Sequence, residues 1–335
     1  MSQTAFDTDR YLKFQVKKIR SIIQRSRDKL YIEFGGKIIQ DRHAARVLPG
    51  YREDAKLELI RTLCASGEII FVVSAKDVLR GRIRGDFKTL YDQETLRTLA
   101  EFRTRGLIIR HVVVSLLSLG EEIPEKIRRF SRKLQRLGFA THNSYALHEY
   151  PSRAFKINDL ENSPFISVKK KVVAIVSPGG GSGKFGVCLS QLYHEMQRGI
   201  APYYLKFETF PVHDLPLDHP VNLAFMAASA DFYDVVMRDH RHGKATSYNR
   251  DLENYELLNR LAKEFPREGV HLRRLSSATD MGINMLSKGM VDDETIQKEA
   301  AAEITRRLVR YKFEVAAGKE SPQVLRRIRK ILRIL

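Results

Sequence analysis

The stretch KKKVVAIVSPGGGSGKFGVCLSQLYHEMQRG, residues 169–199, restricts what this chain can fold into more than any other part of it. The β-branched apolar run 172–176 predicts a buried strand, the glycine-rich segment 177–184 a turn, and residues 185–196 a helix. Glycines in such a turn let backbone N–H groups point at an anion, the helix N-terminus adds partial positive charge, and a lysine reaches the outer phosphates. The order reads as a phosphate cradle made by Ser177, Gly179, Gly180, Gly181, Ser182, Gly183 and Lys184, with Lys184 expected to project from an exposed loop. Two positions depart from the P-loop pattern: Pro178 stands where the first glycine belongs, and Phe185 replaces the hydroxyl residue that ligates Mg²⁺. A glycine-rich connection that binds nothing is the bland alternative. A dinucleotide-type Gly-x-Gly-x-x-Gly also occurs at Gly181, Gly183 and Gly186, but the lysine at 184 favours the P-loop reading.

At 335 residues the chain suits about two domains, and 43% hydrophobic with 29% charged residues excludes wholesale disorder. No apolar run approaches the roughly 18 residues of a membrane helix, and the N-terminal sequence lacks a signal-peptide core, so no membrane span and a cytoplasmic location are expected. Cys64 and Cys188 are too few for a disulfide framework or a cysteine-built zinc site and fit a reducing compartment. The formal charge is +18, of which residues 1–29 carry +5 and residues 306–335 carry +8. Nucleic-acid contact, if any, belongs to those basic ends rather than to the glycine turn.

Taken in order, residues 7–27 predict an amphipathic helix and 30–34 a strand running into Gly35-Gly36-Lys37, a second possible anion contact or a simple tight turn. Helix at 54–64, strand at 69–73, helix at 93–105, strand at 112–116 and a basic helix at 124–137 alternate as in a mostly parallel sheet covered by helices. Between them SAKDVLRGRIRGDFKTLY places Arg80, Arg82 and Arg84 at alternate positions, either an anion-gathering set or a solvated loop. Signals weaken over 138–167, where an inter-domain linker is placed. A strand at 203–207 completes a βαβ unit, helices follow at 223–236, 249–265 and 292–316, and a two-faced helix begins at Ser321-Pro322, its apolar face requiring the chain's own core, another subunit or a lipid surface. The expected architecture is two mostly parallel three-layer α/β domains, 1–150 and 168–270, with a helical segment 271–335.

Several collinear stretches, among them LYIEFGGK, HAARVLPGY, SPGGGSGKFGVCLSQLYHEMQRGI, YLKFETFPVHDLPLDHPVNLAF, YNRDLENYELLNR and ATDMGIN, resemble the bacterial family catalogued as domain of unknown function 1846. The resemblance implies a cytosolic α/β protein with a nucleotide-type glycine loop and no settled activity. Familiar members of that family continue into a further α/β subdomain, which this chain is expected to lack. YLKFETFP is also similar, more distantly, to the P-loop class of CTP synthase and dethiobiotin synthetase, where the strand after the P-loop helix carries a lysine near an acidic or proline turn.

These readings place Lys206, Glu208 and Asp214 as catalytic candidates, with Glu208 or Asp214 holding the Mg²⁺ that Phe185 cannot, and Arg250 and Asp280 as substrate contacts. His213, Asp218, His219, Asp231, Asp234, Asp239, His240 and His242 add donors enough for a metal, without the His-x-x-x-His spacing of a zinc helix. No GxSxG elbow occurs, and Cys188 lies inside a predicted helix, so a serine or cysteine hydrolase finds no support. The leading expectation is a protein that binds ATP or GTP with Mg²⁺ and couples it to phosphoryl-transfer or ligase chemistry on a small anionic substrate, as a homo-oligomer. The alternatives are a phosphate-sensing interaction module and a nucleic-acid binder.

Overall fold

The computed structural model describes residues 4–64, 67–84, 89–147, 150, 155–207, 211–239, 241, 246–265 and 271–335. The first half runs α1 (Thr8–Arg25), β1 (Leu30–Phe34), α2 (Arg42–Val47), α3 (Ala55–Cys64), β2 (Glu68–Ser74), α4 (Ala75–Leu79), β3 (Ile83–Arg84), β4 (Thr89–Leu90), α5 (Tyr91–Thr104), β5 (Ile109–Leu117), α6 (Glu125–Arg136) and β6 (Ala140–Tyr145). The second runs β7 (Val172–Val176), α7 (Lys184–Gln197), β8 (Tyr203–Phe207), α8 (Pro220–Ala228), β9 (Val236–Arg238), β10 (Thr246–Tyr248), α9 (Asn249–Glu264), β11 (Gly282–Ile283), α10 (Asp293–Ala316) and α11 (Pro322–Leu332).

Seven strands form one sheet in the order β11-β8-β1-β7-β2-β5-β6, every pairing parallel. The α/β class and the parallel sheet agree with the sequence reading. The two stretches expected to carry a sheet each instead share one, because β7 enters between β1 and β2 and pairs with both, Ile32 beside Ala174 and Ile70 beside Ile175. Buried apolar strands with both faces covered have no preference for local partners, so strand order is decided by packing.

Side chains alternate across the sheet. Leu30, Ile32 and Phe34 of β1 join a core with α1, α3, α5, α8, α10 and α11, while Tyr31 faces a second core with α7 and α9. Within the stretch read as a linker, residues 140–145 are the edge strand β6; its sequence ATHNSY lacks an apolar run because most of its side chains are half-exposed. The helix expected over 223–236 ends at Ala228, and a 3₁₀ turn with Tyr233 at φ +58° leads into β9. The apolar face of α11 buries Val324, Ile328 and Ile331 in the chain's own core. Among the described residues no helix is long and apolar enough to cross a membrane.

Candidate functional site

After β1 the chain enters α2 and α3, whose Ala44, Val47 and Leu59 pack on the first face; after the neighbouring β7 it enters α7, whose Leu189 and Leu192 pack on the other. Adjacent parallel strands whose chains leave to opposite faces open a crevice beyond their carboxyl ends, where open α/β sheets take ligands. A cleft of about 290 Å³ lies there. The turn after β1, Gly35-Gly36-Lys37, forms one wall and the start of the glycine turn after β7, Pro178-Gly179-Gly180, another. Arg82 follows α4, Arg250 opens α9, and Arg307 and Arg310 come from α10.

Charge in the cleft is lopsided. Lys37, Lys56, Arg82, Arg250, Arg307 and Arg310 line it against Asp41, Asp231 and Asp234. Lys56 Nζ donates to Gly35 O at 3.2 Å and to Asp41 Oδ2 at 3.0 Å, both groups being buried. Burial opposes ionisation of Asp41, but Lys56 and Lys37 outweigh it and hold the carboxyl below the usual range. Arg82 reaches Asp231 Oδ2 at 3.5 Å, and Arg250 grips the buried Asp234, with Nη2 2.6 Å from Oδ2. Both guanidinium groups flank the Phe232 ring, 5.2 and 5.8 Å from its centroid. Burial raises the Asp231 carboxyl against the pull of Arg82 and a hydrogen bond from Tyr311.

The glycine turn divides into two halves. Gly179 and Gly180 face the cleft, whereas Ser182 is buried and its carbonyl accepts from Ser115 Oγ of β5 at 2.5 Å. Lys184 does not project from an exposed loop. It opens α7, and helical side chains lean toward the N-terminus, so the ammonium turns back into the loop. There it donates to Ser177 Oγ at 2.9 Å and Gly179 O at 3.4 Å, with the side chain buried. Phe185 packs against Tyr204, 6.0 Å between centroids, so an apolar contact stands where a P-loop carries its metal-binding hydroxyl. Gly181 and Gly183 take φ of +72° and +81°, and a Cβ on Gly181 would lie 2.7 Å from Phe232.

The remaining sequence candidates lie elsewhere. Lys206 forms an ion pair with Asp251 of α9, Asp214 is exposed and bonded to Ser287 Oγ, and neither lines the cleft. The Asp280 carboxylate accepts from Ser276 N at 2.7 Å, Ser276 Oγ at 2.6 Å and Ser277 N at 3.1 Å, closing a helix cap. Glu208, His240 and His242 lie outside the described residues, as does the side chain of Arg84. Among the described residues no three histidine, cysteine or carboxylate groups come together as a metal site.

Sequence reading passed over the residues that α2 and α10 bring together. His43 Nδ1 lies 2.9 Å from Glu303 Oε1, and Glu303 is gripped by Arg46 Nε and Nη2 at 2.8 and 2.9 Å, by Arg306 at 2.8 Å and by Arg307 at 3.2 Å. Burial opposes the charge of Glu303, yet His43, Arg46 and Arg306 hold its carboxyl far below the usual range. Burial, aided by Arg307, pushes the His43 imidazole down to about 4 although Glu303 pulls the other way. His43 lines the cleft, and its Nε2 has no hydrogen-bond partner among the described residues. The Asp-Arg-His start of α2 was a usable signal, because it follows a parallel strand's carboxyl end by only a few residues.

Across residues 4–335 the chain matches the family described as Domain of unknown function DUF1846, N-terminal. The chain belongs to this family. It is 40% identical over 311 residues to a UPF0371 protein of Clostridium botulinum (strain Eklund 17B / Type B), covering 90% of this chain and 60% of that protein. A UPF0371 protein of Clostridium tetani is 39% identical over 335 residues, covering 98% and 65%, and one of Corynebacterium efficiens is 38% identical over 313 residues, covering 91% and 62%. The chain thus spans a little over three fifths of the length of the curated relatives it matches.

Proposed function

We propose that the cleft binds a small phosphorylated molecule, its phosphate held between the turns at Gly35–Lys37 and Pro178–Gly180. The observation that carries this reading is the convergence of six cationic side chains from five separate segments, against three carboxylates, at the divergence of β1 and β7. A concave low-dielectric wall bearing one predominant charge focuses potential and raises the local concentration of a counter-ion. Glycine turns let backbone amides point at an anion, and Gly36, Lys37, Gly179 and Gly180 would supply the directional donors that a phosphate needs, Gly35 N being bonded to Phe207 O and Pro178 having no N–H. At about 290 Å³ the cleft stands near the lower end of small-molecule sites, which favours a compact ester.

A second reading keeps ATP or GTP with Mg²⁺ as the ligand and phosphoryl transfer as the chemistry. It is supported by the order β7, glycine turn, α7, with the Lys184 ammonium bonded to the loop that would hold the phosphates. In this reading Glu208 or Asp214 assists the metal and Lys206 the substrate.

Calorimetric titration with inorganic phosphate, small phosphate esters, ATP and GTP, with Mg²⁺ or with chelator, tests both. Compact esters are expected to bind, and Lys37→Gln with Arg310→Gln to weaken them at least about tenfold through loss of two charge-assisted contacts. No binding by any phosphate compound, or unchanged binding by the double variant, overturns the first reading. Nucleotide affinity that is absent, or indifferent to Mg²⁺, overturns the second.

A further inference from the structure

His43 carries chemistry that an anion-binding cleft does not need. Its ring is buried, 6% exposed, and fixed at one end by Nδ1 on Glu303 Oε1 at 2.9 Å. Glu303, 1% exposed, is itself locked by Arg46, Arg306 and Arg307. A carboxylate accepts only, so Nδ1 must donate, and the neutral ring then carries its lone pair on Nε2. That atom is buried and, among the described residues, unpartnered. Buried acceptors are almost always satisfied, and an exception in a cleft wall points to a donor supplied from outside the chain.

The donor's nature follows from the surroundings. An ammonium would have to enter beside Lys37, Lys56 and the arginines of the cleft, so a neutral hydroxyl is the donor that fits. We propose that His43 Nε2 accepts a hydrogen bond from a hydroxyl of the phosphorylated ligand, so that the cleft selects phosphate esters bearing free hydroxyls, of the sugar- or polyol-phosphate class. The neighbouring carboxylates Asp41, Asp231 and Asp234 keep further lone pairs for additional hydroxyls. Phe225 packs edge-on to the imidazole with centroids 4.6 Å apart, and that contact must shift for the hydroxyl to reach the buried Nε2. The inference rests on the reading of the cleft as a phosphate site.

Methyl phosphate and glycerol 3-phosphate differ in the hydroxyls that the inference concerns. The wild-type chain is expected to favour glycerol 3-phosphate by roughly five- to tenfold, the worth of one well-placed hydrogen bond. The amide of His43→Asn can still donate to Glu303 but has nothing at the Nε2 position, so the ratio of the two affinities should fall toward one, whatever the change in each affinity by itself. In the wild-type chain the ¹⁵N resonance of Nε2 should shift with glycerol 3-phosphate and stay put with methyl phosphate, a readout independent of how the variant folds. Equal binding of the two esters by wild type, an Asn variant that keeps the preference, or an unmoved Nε2 resonance overturns this inference alone. Failure of inorganic phosphate and both esters to bind overturns the cleft reading and this inference with it.

Discussion

At the scale of single residues, His43 makes stability depend on pH. The imidazole titrates near 4 in the folded chain because burial and Arg307 outweigh Glu303, whereas an unfolded imidazole titrates near ~6.5. Between those values the unfolded chain holds a proton that the folded chain refuses. Stability from this group is therefore full above about pH 6.5 and declines as the pH falls toward 4, by up to about 3 kcal/mol. His111, His142, His213 and His271 are also lowered by burial and act in the same direction, so the informative quantity is a difference. Urea denaturation of wild type and His43→Asn at pH 7, 6 and 5 should give a stability gap that shrinks as the pH drops. A gap independent of pH would show that the ring does not titrate as its surroundings dictate.

At the scale of elements, the glycine turn after β7 separates into positions that need glycine and positions that do not. Gly181 has φ +72° and lies so close to Phe232 that a methyl group would meet the ring at 2.7 Å. Gly181→Ala should cost about 1–2 kcal/mol for the left-handed backbone alone, with displacement of Phe232 added to it. Gly179, where an added Cβ would meet no atom of the described residues within 4 Å, should tolerate alanine within about 0.5 kcal/mol. Chemical denaturation of the two variants measures both. The strands β1, β2, β5, β7 and β8 were legible in the sequence because strands buried on both faces read as apolar runs. The edge strand β6 and the two-residue β11 were not, having little apolar surface to reveal them. Placement of β7 between β1 and β2 was hidden for a different reason: no residue of β7 encodes its neighbours, and the order emerges only from packing. The same divide runs through the site. Gly35–Lys37, Arg82, Gly179, Gly180 and Arg250 stand in turns or helix starts and were visible as local patterns. Lys56, Arg307 and Arg310 project from helices, and which side of α3 or α10 meets the cleft is a tertiary fact.

Across the whole molecule, the last helix supports a cleft whose lining runs from Gly35 to Tyr311. α11 buries Val324, Ile328 and Ile331 against the core shared with α8 and α10. From the same helix Arg327 donates to Asp234 O at 2.9 Å and lies over Tyr233, whose hydroxyl meets Gln323 at 2.8 Å. Asp234 in turn holds Arg250, and Phe232 leans on the glycine turn, so α11 braces the segment that shapes one wall of the cleft. Removing residues 321–335 exposes core and loosens that wall together. With three apolar side chains each worth about 1.5–3 kcal/mol on burial, the truncated chain should lose several kcal/mol of stability. Arg327→Gln separates the two effects, since it keeps the apolar face and deletes only the brace. It should melt within a few degrees of wild type yet bind phosphate esters several-fold more weakly, because Asp234 no longer fixes Arg250 in place. Titration of that variant with unchanged affinity would mean that the wall is held by α8 and α9 without help from α11. Loss of stability equal to that of the truncation would mean that the guanidinium, rather than Ile328 and its neighbours, anchors the helix.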